Sequence, residues 1–221
     1  MQKFDTPAPI AAVLAIPGGR VQFIAADRAD TTVEVRPADP GKSRDVRAAE
    51  QTEVSFADGV LRVKAAKAKS QLLGPSGSVE VTVQLPAGSR VEGEAACAEL
   101  RAVGRLGDVT FTGAYRQIKL DEAAAVHLTA IDGDIEIDKL TGPADLTTAR
   151  GDIRVTEATR GTVVLTTQSG DITIAAAPGV SAALDAGTTQ GRVSNSLKNT
   201  GAVELDIRAT TTQGDITARS L

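Results

Sequence analysis

The chain has 221 residues, 24% of them charged, a formal net charge of −4, four Phe, one Tyr and no Trp. That length holds one elongated domain or two small ones, and the slight acidic balance excludes the basic excess of a nucleic-acid binder. So few aromatic rings also exclude the stacking platforms of single-strand or carbohydrate binders, and they leave an aliphatic core.

In chain order, Met1 to Pro17 carries one lysine and a short apolar stretch, Ile10 to Ile16, too short and too weakly flanked for a signal peptide. No uninterrupted apolar run approaches twenty residues, so no transmembrane segment is expected. A cytoplasmic location is the expectation, with export to the surface by another route as the alternative. Val21, Phe23 and Ile24, then Thr32 to Val35, Val54 to Phe56, Val60 to Val63 and Val79 to Leu85 read as strands. Turns are expected at Gly18-Gly19, Asp58-Gly59 and Pro75 to Gly77, and Asp58-Gly59 is the clearest hairpin signal. Asp45 to Gln51 predicts a short helix capped by Asp45. Residues 1–95 lack the repeat described next and are expected to cap one end of it, because a bare terminal strand invites aggregation.

Arg62, Lys64, Lys67 and Lys69 fall within eight residues that contain no acid and lead into a turn-rich stretch bearing Leu72 and Leu73. Two readings fit. A basic rim around exposed leucines could dock on an acidic protein, membrane-associated or not, or touch an anionic membrane surface; a solvated hairpin edge guarded by lysines needs no partner.

From residue 96 onward one pattern recurs: Gly107-Asp108-Val109, Gly133-Asp134-Ile135, Gly151-Asp152-Ile153, Gly170-Asp171-Ile172, Gly191-Arg192-Val193 and Gly214-Asp215-Ile216. Before four of these steps lies a threonine pair, as in Thr147-Thr148, Thr166-Thr167, Thr188-Thr189 and Thr211-Thr212. Apolar residues alternate after each step, Ile153 with Val155 and Ile172 with Ile174, so each short strand has one face to bury. Strands this short are unstable alone, and a period near twenty residues predicts that successive units stack in parallel around one shared interior. The expected fold is therefore all-β, a right-handed parallel β-helix or β-solenoid over 96–221 behind a β-rich cap over 1–95, with one continuous domain as the alternative. Glycine suits a sharp corner, and the aspartate after it can accept turn amides. A calcium ladder is the sharper alternative, but such rolls repeat their ligands about every nine residues, whereas here one Asp recurs per eighteen or more and Arg192 interrupts the series.

The chemistry of catalysis is thin. The only histidine, His127, lies in an alternating strand opposite its apolar neighbours, and Cys97, between Ala96 and Ala98, reads as a small buried hydrophobe. No phosphate loop or dinucleotide fingerprint occurs, and one His with one Cys cannot ligate zinc. No catalytic residue, metal or cofactor is expected.

Phe4-Asp5-Thr6-Pro7, Gly19-Arg20-Val21, the run Ala26 to Pro37, Asp45 to Thr52, the recurrent Gly-Asp-Ile, Gly191 to Leu197 and Arg208-Ala209-Thr210 occur in an order that resembles the actinobacterial branch of the β-strand-repeat proteins labelled "putative adhesin". The resemblance spans nearly the whole chain and implies a parallel β-helix-like fold with no assigned activity. The expected function is a non-enzymatic scaffold or protein-interaction module; the alternatives are an exported surface adhesin and a carbohydrate-active solenoid using stacked acids. The final strand, Asp215 to Ala218, is expected to be the open end, giving a monomer or an edge-to-edge homodimer.

Overall fold

The computed structural model describes residues 1–65, 77–114 and 116–221. Its strands are β1 (Gln2–Asp5), β2 (Ala11–Ala26), β3 (Asp30–Pro37), β4 (Glu53–Ala57), β5 (Val60–Lys64), β6 (Val79–Pro86), β7 (Arg90–Ala114), β8 (Ile118–Ala130), β9 (Ile135–Leu140), β10 (Ala144–Arg150), β11 (Ile153–Ala158), β12 (Gly161–Ser169), β13 (Ile172–Ala176), β14 (Ala182–Gln190), β15 (Val193–Ser196), β16 (Leu205–Gln213) and β17 (Ile216–Ser220), with one helix, α1 (Ser43–Glu50).

Pairing builds two rows of parallel strands, because the chain coils and each turn adds one strand to each row. In the first row the second half of β8 pairs with β10, β10 with β12, β12 with β16, and β16 with β14. In the second row the first half of β8 pairs with β9, then β11, β13, β17 and β15 follow. The longer strands turn the corner between rows without ending. Thus β2 pairs through Ala11–Ala15 with β5 and through Gly19–Ala26 with β6, bending at Gly19, whose φ is +126°. The expected Gly18-Gly19 turn is therefore a corner inside one strand.

Alternation explains the core. Ile118, Ile135, Ile153, Ile172 and Ile216 stand in register, each 0% exposed, and Leu128, Leu146, Leu165 and Ala209 form the matching line in the other row. Burying each such isoleucine is worth roughly 1.5–3 kcal/mol. A parallel stack repeats this rung by rung, so one continuous aliphatic interior replaces the aromatic core that the composition lacks.

The front half differs from expectation in one respect: coils are present there without the Gly-Asp step, since β2 and the pair β5 with β6 each supply a strand to both rows. Strand β7 runs unbroken across residues 95 and 96. Beyond these coils the end is closed by antiparallel strands, β1 on β3, β3 on β6 and β4 on β5, with α1 packed against β3 and β6. The β4–β5 hairpin turns at Asp58 and Gly59, with φ of +52° and +74°, the left-handed pair that a two-residue hairpin loop demands. The helix starts at Ser43, its N-cap is Lys42 without a side-chain bond, and Asp45 is buried instead of capping. Its Oδ1 accepts the Ser78 N–H at 3.0 Å, which ties α1 to the start of β6.

Coil order at both ends departs from chain order. Strands β16 and β17 are inserted between the β12–β13 coil and the β14–β15 coil. At the other end β2 lies between the β5–β6 coil and β7. The expected open strand, Asp215 to Ala218, is therefore interior, paired with β13 on one side and β15 on the other. The open edge belongs to β14 and β15.

Candidate interaction surface

The repeat residues meet at one corner, where the chain leaves the first row for the second. At Gly133, Gly151, Gly170, Gly214 and Gly191, φ lies between +133° and +155°. A Cβ at Gly151 would stand 2.3 Å from the Gly133 carbonyl oxygen, and one at Gly170 2.0 Å from that of Gly151. The corner thus excludes side chains twice, by conformation and by contact between stacked backbones.

Each following carboxylate reaches the neighbouring coil. Asp152 N–H donates to Asp134 Oδ1 at 2.8 Å, Asp171 N–H to Asp152 Oδ1 at 2.8 Å, and Asp215 N–H to Asp171 Oδ1 at 2.7 Å. Arg192 ends this ladder: its N–H and its guanidinium donate to the two oxygens of Asp215 at 2.9 and 3.0 Å. Those bonds hold the Asp215 carboxyl below its ordinary pKa, the backbone bond contributing most. On the inner side of the corner, the hydroxyls of Thr148, Thr167, Thr211 and Thr188 donate to the carbonyls of Gly133, Gly151, Gly170 and Gly214 at 3.0–3.3 Å. Gly107 and Asp108 lie elsewhere, in the first row, with Asp108 beside Ala125; in this ladder Arg116-Gln117-Ile118 holds the place below Gly133-Asp134-Ile135.

At the corner one oxygen of each of Asp134, Asp152 and Asp171 is held by a neighbouring amide while the residues stay exposed. The outward faces of the two rows carry further side chains open to a partner. On the first row Thr112, Thr129, Thr147, Thr166 and Thr210 stand in register, one per coil, at the strand spacing of about 4.8 Å. Beside them runs a second line, Thr110, His127, Asp145, Val164, Arg208 and Asp185. His127 is exposed, its Nδ1 3.6 Å from Asp145. The second row presents Arg101, Lys119, Glu136, Arg154, Thr173 and Thr217, with Arg101 paired to Asp121 at 2.7 Å and Lys119 to Glu136 at 2.9 Å.

Of the basic stretch read from sequence, Arg62 and Lys64 lie exposed on β5, Lys64 opposite Glu53 of β4. Lys67, Lys69, Leu72 and Leu73 lie outside the described residues. Cys97 is exposed, contrary to the buried reading, because it sits where β7 turns its corner and points outward. It borders a polar cleft of about 470 Å³ formed by Arg20, Glu99, Lys42, Arg44 and Arg116, which sequence distance conceals. Arg20 in that cleft lies 3.4 Å from Glu99 and 3.8 Å from Glu80, so its charges are largely matched. Among the described residues no group of three His, Cys, Asp or Glu could hold a metal ion, and no helix is long and apolar enough to cross a membrane.

The family model described as Toastrack DUF4097 matches residues 11–219. No curated protein matches the chain. A crystal structure of a "putative adhesin" from Bacteroides fragilis NCTC 9343 is similar in fold, at 16% identity and a TM-score of 0.50, covering 98% of this chain and 95% of that one. A second, from Parabacteroides merdae ATCC 43184, has 11% identity and a TM-score of 0.40, with 100% and 95% covered.

Proposed function

We propose that this chain, which belongs to the Toastrack DUF4097 family, is a non-enzymatic interaction module whose stiff coil offers flat outer faces to a protein partner. The carrying observation is the register: outward side chains fall in straight lines across successive coils, and each corner carboxylate is fixed through one oxygen to a neighbouring amide. A partner therefore meets an ordered field of hydroxyls and charges on a backbone that does not need to reorganise, which lowers the entropy cost of binding. A right-handed β-helix is the reading of the coil, that being the hand of parallel crossovers. The actinobacterial affinity rests on the ordered segments from Phe4 to Ile216 and belongs to the same proposal.

The module is proposed to act in the cytoplasm, beside a membrane-associated partner that meets the basic stretch around Arg62 and Lys64. The immobilised full chain should retain one protein from lysate and membrane fractions of the native host, and a variant with Arg62, Lys64, Lys67 and Lys69 changed to serine should lose it while melting at the same temperature. Retention of nothing above a control column sinks the reading. An exported adhesin is the second reading, favoured by the description carried by the Bacteroides fragilis neighbour. Fractionation of the native host separates the two, since a wholly cytosolic pool ends the adhesin reading.

A further inference from the structure

We propose that the open end of the coil self-associates: β14 pairs antiparallel with β14 of a second copy, and one aliphatic interior runs through both chains. This stands on the end of the stack and not on the outer faces argued above.

The end is unfinished as a core. Leu184 and Ala186 lie in register with Ile207 and Ala209, which are 0% and 1% exposed, yet both are only half-buried because, among the described residues, no strand pairs beyond them. The connection after β15 crosses only the start of β14, where Lys198 and Thr200 bond to Ala182 and Ser181. On the second row Val193, in register with the fully buried Ile216, is 45% exposed. Among the described residues β14 pairs with β16 alone and β15 with β17 alone. Leu205 N–H donates to the Ser181 carbonyl, and in a parallel ladder every second residue engages a given neighbour. Leu184, Ala186 and Thr188 therefore turn their backbone groups outward, as does Ala182, whose N–H is already taken by the Lys198 carbonyl.

Edges are usually guarded by charge, proline or a covering element. The opposite end has such guards: antiparallel β1 and β4 carry Lys3, Asp5 and Glu53. Strand β14, Ala-Ala-Leu-Asp-Ala-Gly-Thr-Thr-Gln, has one charge, Asp185, which stands beside Arg208 of β16, and β15 has none.

The partner that fits is the same strand reversed. With Ala186 on a two-fold axis, Ala186 faces its counterpart and Leu184 faces Thr188, so small or apolar groups meet over the interior. Asp185 then faces Gly187 and stands diagonal to its own counterpart, so no like charges are directly opposite. These are the outward-bonding positions, and three such pairs exchange about six hydrogen bonds. A head-to-tail stack would instead lay β14 against the charged antiparallel edges, and it would not close.

Sedimentation equilibrium on the full chain should give a dimer and nothing larger. Leu184→Lys puts an ammonium into the joined interior, and Ala186→Pro removes the N–H on the axis while sparing the bonds to β16. Each should weaken the dimer by at least about tenfold. In a Cys97→Ser background, Ala186→Cys should oxidise to a covalent dimer, since the paired Cα atoms lie about 5.5 Å apart, within disulfide reach. Thr189→Cys, off the axis, should not. If Ala186→Pro fails to fold, Leu184→Lys and the cross-link still decide. A monomer at every attainable concentration, a dimer indifferent to Leu184→Lys, growth beyond two copies, or cross-linking at Thr189→Cys and not at Ala186→Cys overturns the proposal.

Discussion

A glycine at the corner answers two demands, and the positions separate cleanly by how many they face. At Gly151, φ is +135° and a neighbouring carbonyl oxygen would lie 2.3 Å from any Cβ; at Gly187, no left-handed φ occurs and nothing lies within 4 Å. Gly151→Ala should therefore cost about 2–4 kcal/mol in urea unfolding, because stacked backbone has no flexible end that can yield. Gly187→Ala should be neutral or stabilise by about 0.5 kcal/mol, through the smaller entropy of its unfolded chain. Equal losses at both sites would show that the corner is not the constraint. Charge at the capped end supplies a separate test. The Arg28 guanidinium and then the Lys3 ammonium bond to Asp30 and hold its carboxyl down from 3.8 to about 2. A depressed folded-state value means that its contribution is complete above the unfolded pKa and fades as pH falls through the window from about 4 to about 2. Asp30→Asn should flatten this part of the acid limb of stability, visible as urea midpoints that converge with wild type near pH 2. Midpoints that stay parallel across the window would remove Asp30 from the account.

Among the elements, α1 shows how one buried acid can replace a cap. Asp45 is 4% exposed and its carboxylate accepts the Ser78 N–H, the residue that leads into β6. Asp45→Ala leaves that amide without its partner and should cost about 1–3 kcal/mol. Hydrogen exchange should then quicken at Ser78 while β12 is unmoved; uniform loosening would mean that α1 is no local clasp. Local chemistry of this kind is what a sequence carries well. Asp58-Gly59 declares its hairpin because few residues tolerate two left-handed steps, and Ile153 with Val155 declares an inward face by period alone. The helix was legible to within two residues of its start, but not the role of Asp45, since its partner is 33 residues away. Coil order was illegible for a different reason: every coil offers the same aliphatic rungs, so no local feature names its neighbour. Two features mark the end of the stack without giving its order. Arg192 alone breaks the Asp series where the ladder ends, and Leu197 to Glu204 is a longer connection than its counterparts. The polar cleft at Arg20 had no signal, being assembled from segments that meet only through the coiling.

For the molecule as a whole, inserting the last coil inside the stack changes how the end comes apart. In a solenoid whose coils follow chain order, the final repeat has one neighbour and frays first, because each unit is held only by those beside it. Here β16 and β17 have neighbours on both edges, and the strands with a single neighbour, β14 and β15, precede them in sequence. Residues 182–221 must accordingly dock as one unit, since β14 and β15 have nowhere to pair until β16 and β17 are in place. Hydrogen exchange should invert the usual gradient: Ile216 and Ala218, within six residues of the C-terminus, should exchange more slowly than Val193 to Ser196, about twenty residues upstream. Burial already follows that order, with Ile216 and Ala218 at 0% exposure and all four residues of β15 exposed. A peptide covering β17 that exchanges as fast as one covering β15, in monomer and dimer alike, would mean that the inserted coil opens independently and that the end is no stronger than an ordinary one.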